Sequence, residues 1–135
     1  MPTDVSSGGS PSRMDGKIGT GAEFFKTPDL KPQLENFPPA KDGKETLLGW
    51  VGRLQGLAVD RQGNVYVAGA ESHTSGEAVA VVSPDGTKVV AMILGVPRNV
   101  SGLAFGGPDG RTLYITGAGE HRLHKVLLPT PGAGW

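Results

Sequence analysis

The chain has 135 residues, 37% of them hydrophobic and 19% charged, and its 13 basic and 13 acidic residues give a formal net charge of zero. No long run of either sign occurs, so neither a nucleic-acid-binding surface nor a patch for an anionic membrane is expected. The absence of cysteine excludes disulfide scaffolds, thiolate zinc sites and cysteine nucleophiles.

The first part of the chain has the composition of a flexible leader. Residues 1–40 hold six of the 11 prolines and many glycines and serines, with aromatic residues only at Phe24, Phe25 and Phe37. Such a segment buries too little apolar surface to offset the entropy lost on ordering. We therefore predict a flexible Pro/Gly/Ser-rich leader, with a short strand near 22–25 as the main exception.

Targeting signals are not evident in the sequence. The N-terminus lacks the basic start and apolar stretch of a secretory signal. The longest apolar run, residues 89–96, is shorter than the roughly 18 residues that a membrane-spanning helix needs. We expect a soluble protein that is cytoplasmic rather than secreted and that does not bind a membrane.

A sequence repeat follows the leader. Gly-Leu-Ala-Val at 56–59 and Val-Tyr-Val-Ala-Gly-Ala at 65–70 recur as Gly-Leu-Ala-Phe at 102–105 and Leu-Tyr-Ile-Thr-Gly-Ala at 113–118. The interval is within the roughly 40 to 50 residues that are typical of a repeat forming one small four-stranded sheet. The sequence therefore predicts an all-β fold, a partial β-propeller of about two four-stranded blades that follows the leader.

The turn residues divide this region, residues 41–135, into blades. A full blade is predicted over 54–95, where four short apolar runs are separated by Gly- and Asp-containing turns. An incomplete blade is predicted over 99–128, which lacks its outermost strand. Residues 41–49 resemble the last hairpin of the full blade, so we assign them to the final strand of a preceding blade.

One run within the full blade allows two interpretations. Residues 89–94 are apolar throughout, and a short run of this kind also fits a buried turn of helix. Its β-branched residues and the Asp-Gly turn before it favour a strand. Residues 78–82 are also apolar on both faces, which is expected for a sheet covered on both sides.

Three aspartates occupy turns in this region. Asp60, Asp85 and Asp109 each have a glycine close behind. Aspartate side chains in such turns accept hydrogen bonds from local backbone amides. We predict a structural role for all three.

The sequence of the second copy resembles that of a known family. The segment 99–116, and most specifically 105–116, is similar to the C-terminal region of the gluconolactonase family, also known as the regucalcin or senescence marker protein (SMP-30) family. Residues 55–60 and 63–68 resemble the preceding blade of that family, although NHL-repeat propellers have similar sequences there. The resemblance covers roughly residues 50–128.

The resemblance implies a six-bladed propeller that binds a divalent metal, Ca²⁺ or Zn²⁺, at one end of its channel and hydrolyses a small-molecule sugar lactone. The metal would polarise the lactone carbonyl or activate water. The family's ligands are a Glu, an Asn and an Asp, and Gln55 occupies the position that matches the Asp. The Glu and Asn would lie in blades outside the match.

Gln55 changes what the resemblance implies about activity. Glutamine offers a neutral oxygen in place of a carboxylate, and one neutral ligand does not hold a cation. We therefore expect a fragment or remnant of a lactonase-type hydrolase that lacks a bound metal and is inactive as this chain alone. The alternative is a non-catalytic, NHL-like propeller module that binds a protein or a ligand.

Other candidates for the ligand face follow from the repeat. In a propeller, the residues just before each innermost strand and the loop between the second and third strands face one end of the channel. The candidates at these positions are Gln55, Asn99, Ser101, Glu71, His73, Glu120 and His121. Paired Glu and His residues can serve as metal ligands or as an acid and base, but the simpler interpretation is solvated polar loops.

Two blades also leave apolar faces without a neighbour. Repeat units of this kind usually need about three or more copies to bury their faces. Self-association, or a partner chain that supplies the missing blades, is therefore expected.

Overall fold

The structure is a computed structural model that describes residues 19–27, 30–32, 47–50, 54–72, 76–118 and 121–135. These ranges contain β-strands and no α-helix, and no helix among them is long and apolar enough to cross a membrane. The strands are β1 Lys31–Pro32, β2 Leu47–Trp50, β3 Leu57–Val59, β4 Val65–Ser72, β5 Gly76–Val82, β6 Lys88–Ile93, β7 Val100–Gly106, β8 Thr112–Gly117 and β9 His124–Leu127.

The strands form two sheets. In the first sheet the order is β1-β6-β5-β4, and the far edge of β4 is shared by β3, at its start, and β2, at its end. The second sheet has the order β7-β8-β9. Every pairing is antiparallel except β1 with β6. This confirms the predicted all-β partial propeller, with one unit of four successive strands, β3 to β6, and one of three.

The strands confirm one local prediction and contradict another. Residues 89–93 are part of strand β6, so the strand interpretation of that run is confirmed. The strand near residues 22–25 is wrong, because these residues form no strand and the rings of Phe24 and Phe25 contact each other beside the sheet. The remaining leader residues, 1–18, 28–29 and 33–40, lie outside the described part.

The N-terminal boundary of the first sheet includes residues from both predicted domains. Residues 41–46 of the strand assigned to a preceding blade are outside the described ranges, and residues 47–50 form β2 in the first sheet. Within residues 1–40, Leu30 is buried and β1 extends the edge of β6. The domain boundaries at residues 40 and 41 stay a prediction.

Local turn chemistry explains why the chain reverses where it does. Asp60 is buried, and its Oδ1 accepts hydrogen bonds from the N–H groups of Gln62 at 2.9 Å and Asn64 at 3.0 Å. Asp85 accepts hydrogen bonds from the hydroxyls of Ser83 at 2.6 Å and Thr87 at 2.7 Å. These contacts tie each carboxylate to its own turn, as predicted for aspartates followed by glycine.

Two apolar clusters bury the first sheet on both faces. The cluster between the two sheets joins Tyr66 and Val81 to Leu113 and Ile115 of the second sheet. On the opposite face, Val67, Ala80, Val82 and Met92 pack with Leu30, and with Phe25 and Trp50 at their margin. A sheet covered on both faces needs apolar side chains in both directions, which explains the continuous apolar runs in β5 and β6.

The segment that follows β9 connects the two sheets. The carbonyl of Pro131 accepts a hydrogen bond from the Arg61 N–H at 2.8 Å, and the N–H of Gly132 donates to the Gly110 carbonyl at 2.9 Å. The Trp135 ring lies directly over Gly110, which has a φ of +74° and no side chain to obstruct it. The turn after β3 and the turn after β7 are therefore held together at one end of the sheets.

Candidate functional site

The positions before the two inner strands lie side by side. Gly56 lies so close to β7 that a Cβ placed on it would be 3.2 Å from the carbonyl oxygen of Ser101. Gln55 therefore lies next to the start of β7, at the boundary between the sheets. The side chains of Gln55 and Ser101 are exposed. The structure thus brings together two of the residues that the repeat assigned to the ligand face.

Asn99 lies in the connection that enters β7. Its φ is +55°, in the left-handed region, which asparagine tolerates better than most residues. Its N–H donates to Glu77 Oε1 at 2.8 Å, and its carbonyl accepts from the Ala118 N–H at 2.9 Å. The backbone of Asn99 therefore links the β4–β5 hairpin to the end of β8.

A pair of hydroxyls lies next to this connection. The Ser101 Oγ and the Thr116 Oγ1 are 3.4 Å apart, and both residues are exposed. A Cβ on Gly102 would come within 2.7 Å of the Thr116 hydroxyl, so the glycine makes room for that side chain. The pair can donate and accept hydrogen bonds, and among the described residues neither hydroxyl has a basic hydrogen-bond partner.

Two carboxylates meet at the tip of the β4–β5 hairpin. Glu71 and Glu77 are directly opposite each other in the register of the two strands, so their side chains are on the same face. One oxygen of Glu77 accepts the hydrogen bond from Asn99. His73 and Glu120 lie outside the described residues, and His121 is exposed. The predicted Glu–His pairs in the two loops therefore stay predictions.

The side chains that the structure describes around Gln55 do not make up a site for a divalent cation. Within the described ranges, no group of three or more His, Cys, Asp or Glu residues is close enough to hold a metal ion. Calcium prefers six to eight oxygen ligands that include carboxylates, and zinc prefers imidazole, thiolate and carboxylate. Gln55, Asn99 and Ser101 supply only neutral oxygens, and Glu77 already accepts a backbone hydrogen bond.

Gln55 instead borders an apolar cavity of about 320 Å³ on the open face of β3. The cavity is lined by Phe24 and Phe25 from the N-terminal part of the chain, and by Leu54, Leu57 and Val67. Sequence reasoning missed this cavity because it assigned the two phenylalanines to the leader. The available signal was the pair of adjacent aromatic residues in an otherwise polar segment.

Tyr66 and Asp60 form a buried hydrogen bond. The Tyr66 hydroxyl donates to Asp60 Oδ2 at 2.9 Å. Burial raises the pKa of Tyr66 well above its ordinary value, and the charge of Asp60 adds to the rise. Tyr66 therefore keeps its proton and acts as a hydrogen-bond donor within the core rather than as an acid or a base.

Comparison with known proteins gives the family. Residues 24–119 match the profile of the family described as "SMP-30/Gluconolactonase/LRE-like region". The match covers more than two thirds of the sequence. The chain belongs to this family. The SMP-30/gluconolactonase match confirms the resemblance found in the sequence repeat. It begins at Phe24, within the segment assigned to the leader.

Comparisons with individual proteins add one solved structure. A search of curated proteins found no match. An X-ray structure described as a "putative gluconolactonase" is 34% identical, with a TM-score of 0.49, and the alignment covers 60% of this chain and 24% of that chain. The present chain therefore spans about a quarter of that protein's length.

Proposed function

We propose that this chain supplies two blades of a gluconolactonase-type, metal-dependent lactone-hydrolase fold and does not hydrolyse lactones by itself. Family membership and the partial coverage of a related structure support the first half of the proposal. The observation that carries the second half is that neutral side chains, Gln55 and Ser101, flank the close approach of Gly56 to β7.

The chemistry of these side chains explains the second half. Hydrolysis of a lactone requires a group that polarises the carbonyl and a group that takes a proton from water. The Gln55 amide can donate a hydrogen bond to an oxygen, but it cannot take up a proton. Among the described residues, the hydrogen-bond partner of the Ser101 hydroxyl is the Thr116 hydroxyl, which is not a base of the kind that activates a serine nucleophile.

A non-catalytic binding module is the second candidate. The apolar cavity beside Gln55 favours it, because ligand sites combine apolar walls with a few polar groups that orient the ligand. Gln55 would supply one such group, and Glu23, which also lines the cavity, would supply a carboxylate.

Lactone hydrolysis by the purified full chain, with and without added Ca²⁺, Zn²⁺ or Mn²⁺, tests the proposal. We expect no metal-stimulated turnover and no metal binding in calorimetric titrations. Gln55→Asp should add little turnover, because a single carboxylate does not complete a cation site. The matched control is Gln55→Asn, which keeps the neutral amide. Metal-stimulated turnover by the wild-type chain would contradict the proposal.

A further inference from the structure

The packing between the two sheets follows a simple pattern. Ala58, Tyr66 and Val81 lie directly opposite one another on β3, β4 and β5, and they contact the second sheet. The Tyr66 ring meets the Phe105 ring edge-on, with centroids 5.4 Å apart and an interplanar angle of 90°. The strands that approach each other here are β3 and β4 on one side and β7 on the other.

The second sheet repeats this row on its far face. Ala104, Tyr114 and Lys125 are directly opposite one another on β7, β8 and β9. They alternate with Leu113 and Ile115, which face the first sheet, so the row points away from it. We call this surface the tail face.

The tail face is open over the described part of the chain. Ala104 and Lys125 are exposed, and Leu123 and Leu127 each retain 61% of their accessible surface. In the first sheet, the equivalent row packs against the second sheet. Tyr114 on the tail face is therefore equivalent to Tyr66, which packs against the second sheet.

The first sheet repeats the surface that receives the tyrosine. In the second sheet, that surface is formed by the cross-strand pairs Leu103–Ile115 and Phe105–Leu113. Their counterparts on β3 and β4 are the pairs Leu57–Val67 and Val59–Val65. Leu57 is 65% exposed, and the cavity of about 320 Å³ opens beside it. We call this surface the head face.

Residues from the N-terminal part of the chain cover the head face only in part, since Val67 is buried whereas Leu57 is exposed. Phe25, Leu30 and Trp50 cover the part of the first sheet that lies over β4, β5 and β6. The opening is therefore confined to the region around β3. Within the chain, the two sheets also contact each other through β3, β4 and β7. The open region around β3 therefore corresponds to the part of the second sheet that contacts the first.

We propose that a second copy of this chain binds head to tail, with the tail face of one copy on the head face of the next. The contact repeats between chains the packing of Tyr66 on the second sheet within one chain. Lys125 in the tail row and Glu23 in the wall of the head cavity carry opposite charges. Because the two faces differ, the contact is heterologous, and it produces a ring or an open chain of copies.

One-sided variants test the proposal on the full chain. Analytical ultracentrifugation of the wild type should give a mass above that of the monomer, rising with concentration. Leu57→Glu removes the head face and Leu127→Glu removes the tail face, so each variant alone should be monomeric. An equimolar mixture should form a 1:1 heterodimer and nothing larger, because each variant keeps one intact face. Gln62→Glu adds the same charge at an exposed turn and should associate like the wild type.

Other outcomes would overturn the proposal. A wild type that is monomeric at all concentrations would do so. A mixture of the two variants that stays monomeric would also do so, because a heterologous contact pairs the intact tail face of one variant with the intact head face of the other. Cysteine variants provide a second measurement if a glutamate variant fails to fold. Because the chain has no native cysteine, Leu57→Cys and Leu127→Cys should cross-link to each other faster than either cross-links to itself. Equal rates would overturn the proposal. This test measures mass and cross-linking, so it is independent of catalytic turnover.

Discussion

The two sheets share a strand pattern and a set of side chains, but they differ in how many faces are covered. The first sheet has an apolar cluster on each face, with the second sheet on one side and Phe25, Leu30 and Trp50 on the other. In the described part of the chain, the second sheet has its apolar cluster on the face that meets the first sheet, and Leu123 and Leu127 are exposed. Equivalent residues therefore have different surroundings, and substitutions at equivalent positions separate the contribution of the local sequence from that of the neighbour.

The largest effect is expected from the two equivalent tyrosines. Tyr66→Ala removes a fully buried ring and the hydroxyl that donates to Asp60, and loss of a buried aromatic side chain costs about 3 to 5 kcal/mol. Tyr114→Ala changes a half-buried ring on the tail face and should cost less than about 1 kcal/mol. Urea unfolding followed by circular dichroism, at concentrations where the chain is monomeric, measures both. Equal losses would mean that the second sheet does not set the environment of Tyr66.

This difference also shows what the sequence could and could not predict. The sequence repeat predicted both hairpins and the equivalence of their tyrosines, because strand periodicity and turn residues are local properties of the chain. It could not predict that only Tyr66 is buried, since burial depends on which distant segment covers the face. For the same reason, composition placed Phe25 and Leu30 in a leader, whereas the structure has them packed on the first sheet.

The candidate site divides in a similar way. The repeat predicted that Gln55 and Ser101 share one end of the sheets, and the close approach of Gly56 to Ser101 places them there. The hydrogen bond between Asn99 and Glu77 joins residues 22 positions apart. No local pattern indicates such a contact, and the left-handed φ of Asn99 is equally absent from the sequence signal. Whether these residues bind a ligand stays a prediction.

The next effect concerns the segment that joins the sheets at one end. Gly110→Ala places a methyl group against the Trp135 ring at a position where φ is +74°, whereas Gly76→Ala has nearly the same φ, +76°, with nothing within 4 Å. Backbone strain alone costs about 1 to 2 kcal/mol, and overpacking adds about 1 to 3 kcal/mol. Gly110→Ala should therefore be the more destabilising in thermal or urea unfolding.

A double substitution identifies the source of that difference. Adding Trp135→Ala to Gly110→Ala should recover most of the overpacking part, because the ring that meets the methyl group is gone. If the double variant is no more stable than Gly110→Ala, the Trp135 contact is not what distinguishes Gly110 from Gly76.

A smaller effect is expected at the opposite end of the sheets, where Glu77 links them through Asn99. Glu77→Ala removes the acceptor for the Asn99 N–H and should cost about 0.5 to 1.5 kcal/mol. Glu77→Gln keeps an acceptor oxygen and removes a like charge directly opposite Glu71, so it should be neutral or slightly stabilising. Hydrogen exchange of the Asn99 amide provides a local readout. Faster exchange in Glu77→Gln than in Glu77→Ala would contradict the assignment.

The smallest effect distinguishes the turn aspartates of the two sheets at low pH. In the first sheet, hydrogen bonds from Ser83 and Thr87 lower the pKa of Asp85 from 3.8 to about 2. In the second, the hydrogen bonds and charge of Arg111 lower the pKa of Asp109 below 3.8. A lowered pKa in the folded state stabilises the protein above pH 3.8, and this stabilisation is lost as the pH falls through the folded pKa. Asp85→Asn and Asp109→Asn should each remove part of that acid-dependent loss.

Salt separates the two aspartates further. Asp109 forms an exposed ion pair with Arg111, with 2.9 Å between Oδ2 and Nε, and exposed charge pairs are screened by salt. Asp85 is held mainly by neutral hydroxyl donors at 2.6 and 2.7 Å, on which screening acts little. Carboxyl NMR titrations at low and high salt should therefore shift the pKa of Asp109 toward its ordinary value and leave that of Asp85 nearly unchanged. Equal shifts would mean that charge rather than hydrogen bonding sets both values. The two turns would then differ in sequence but not in the physical origin of their stability.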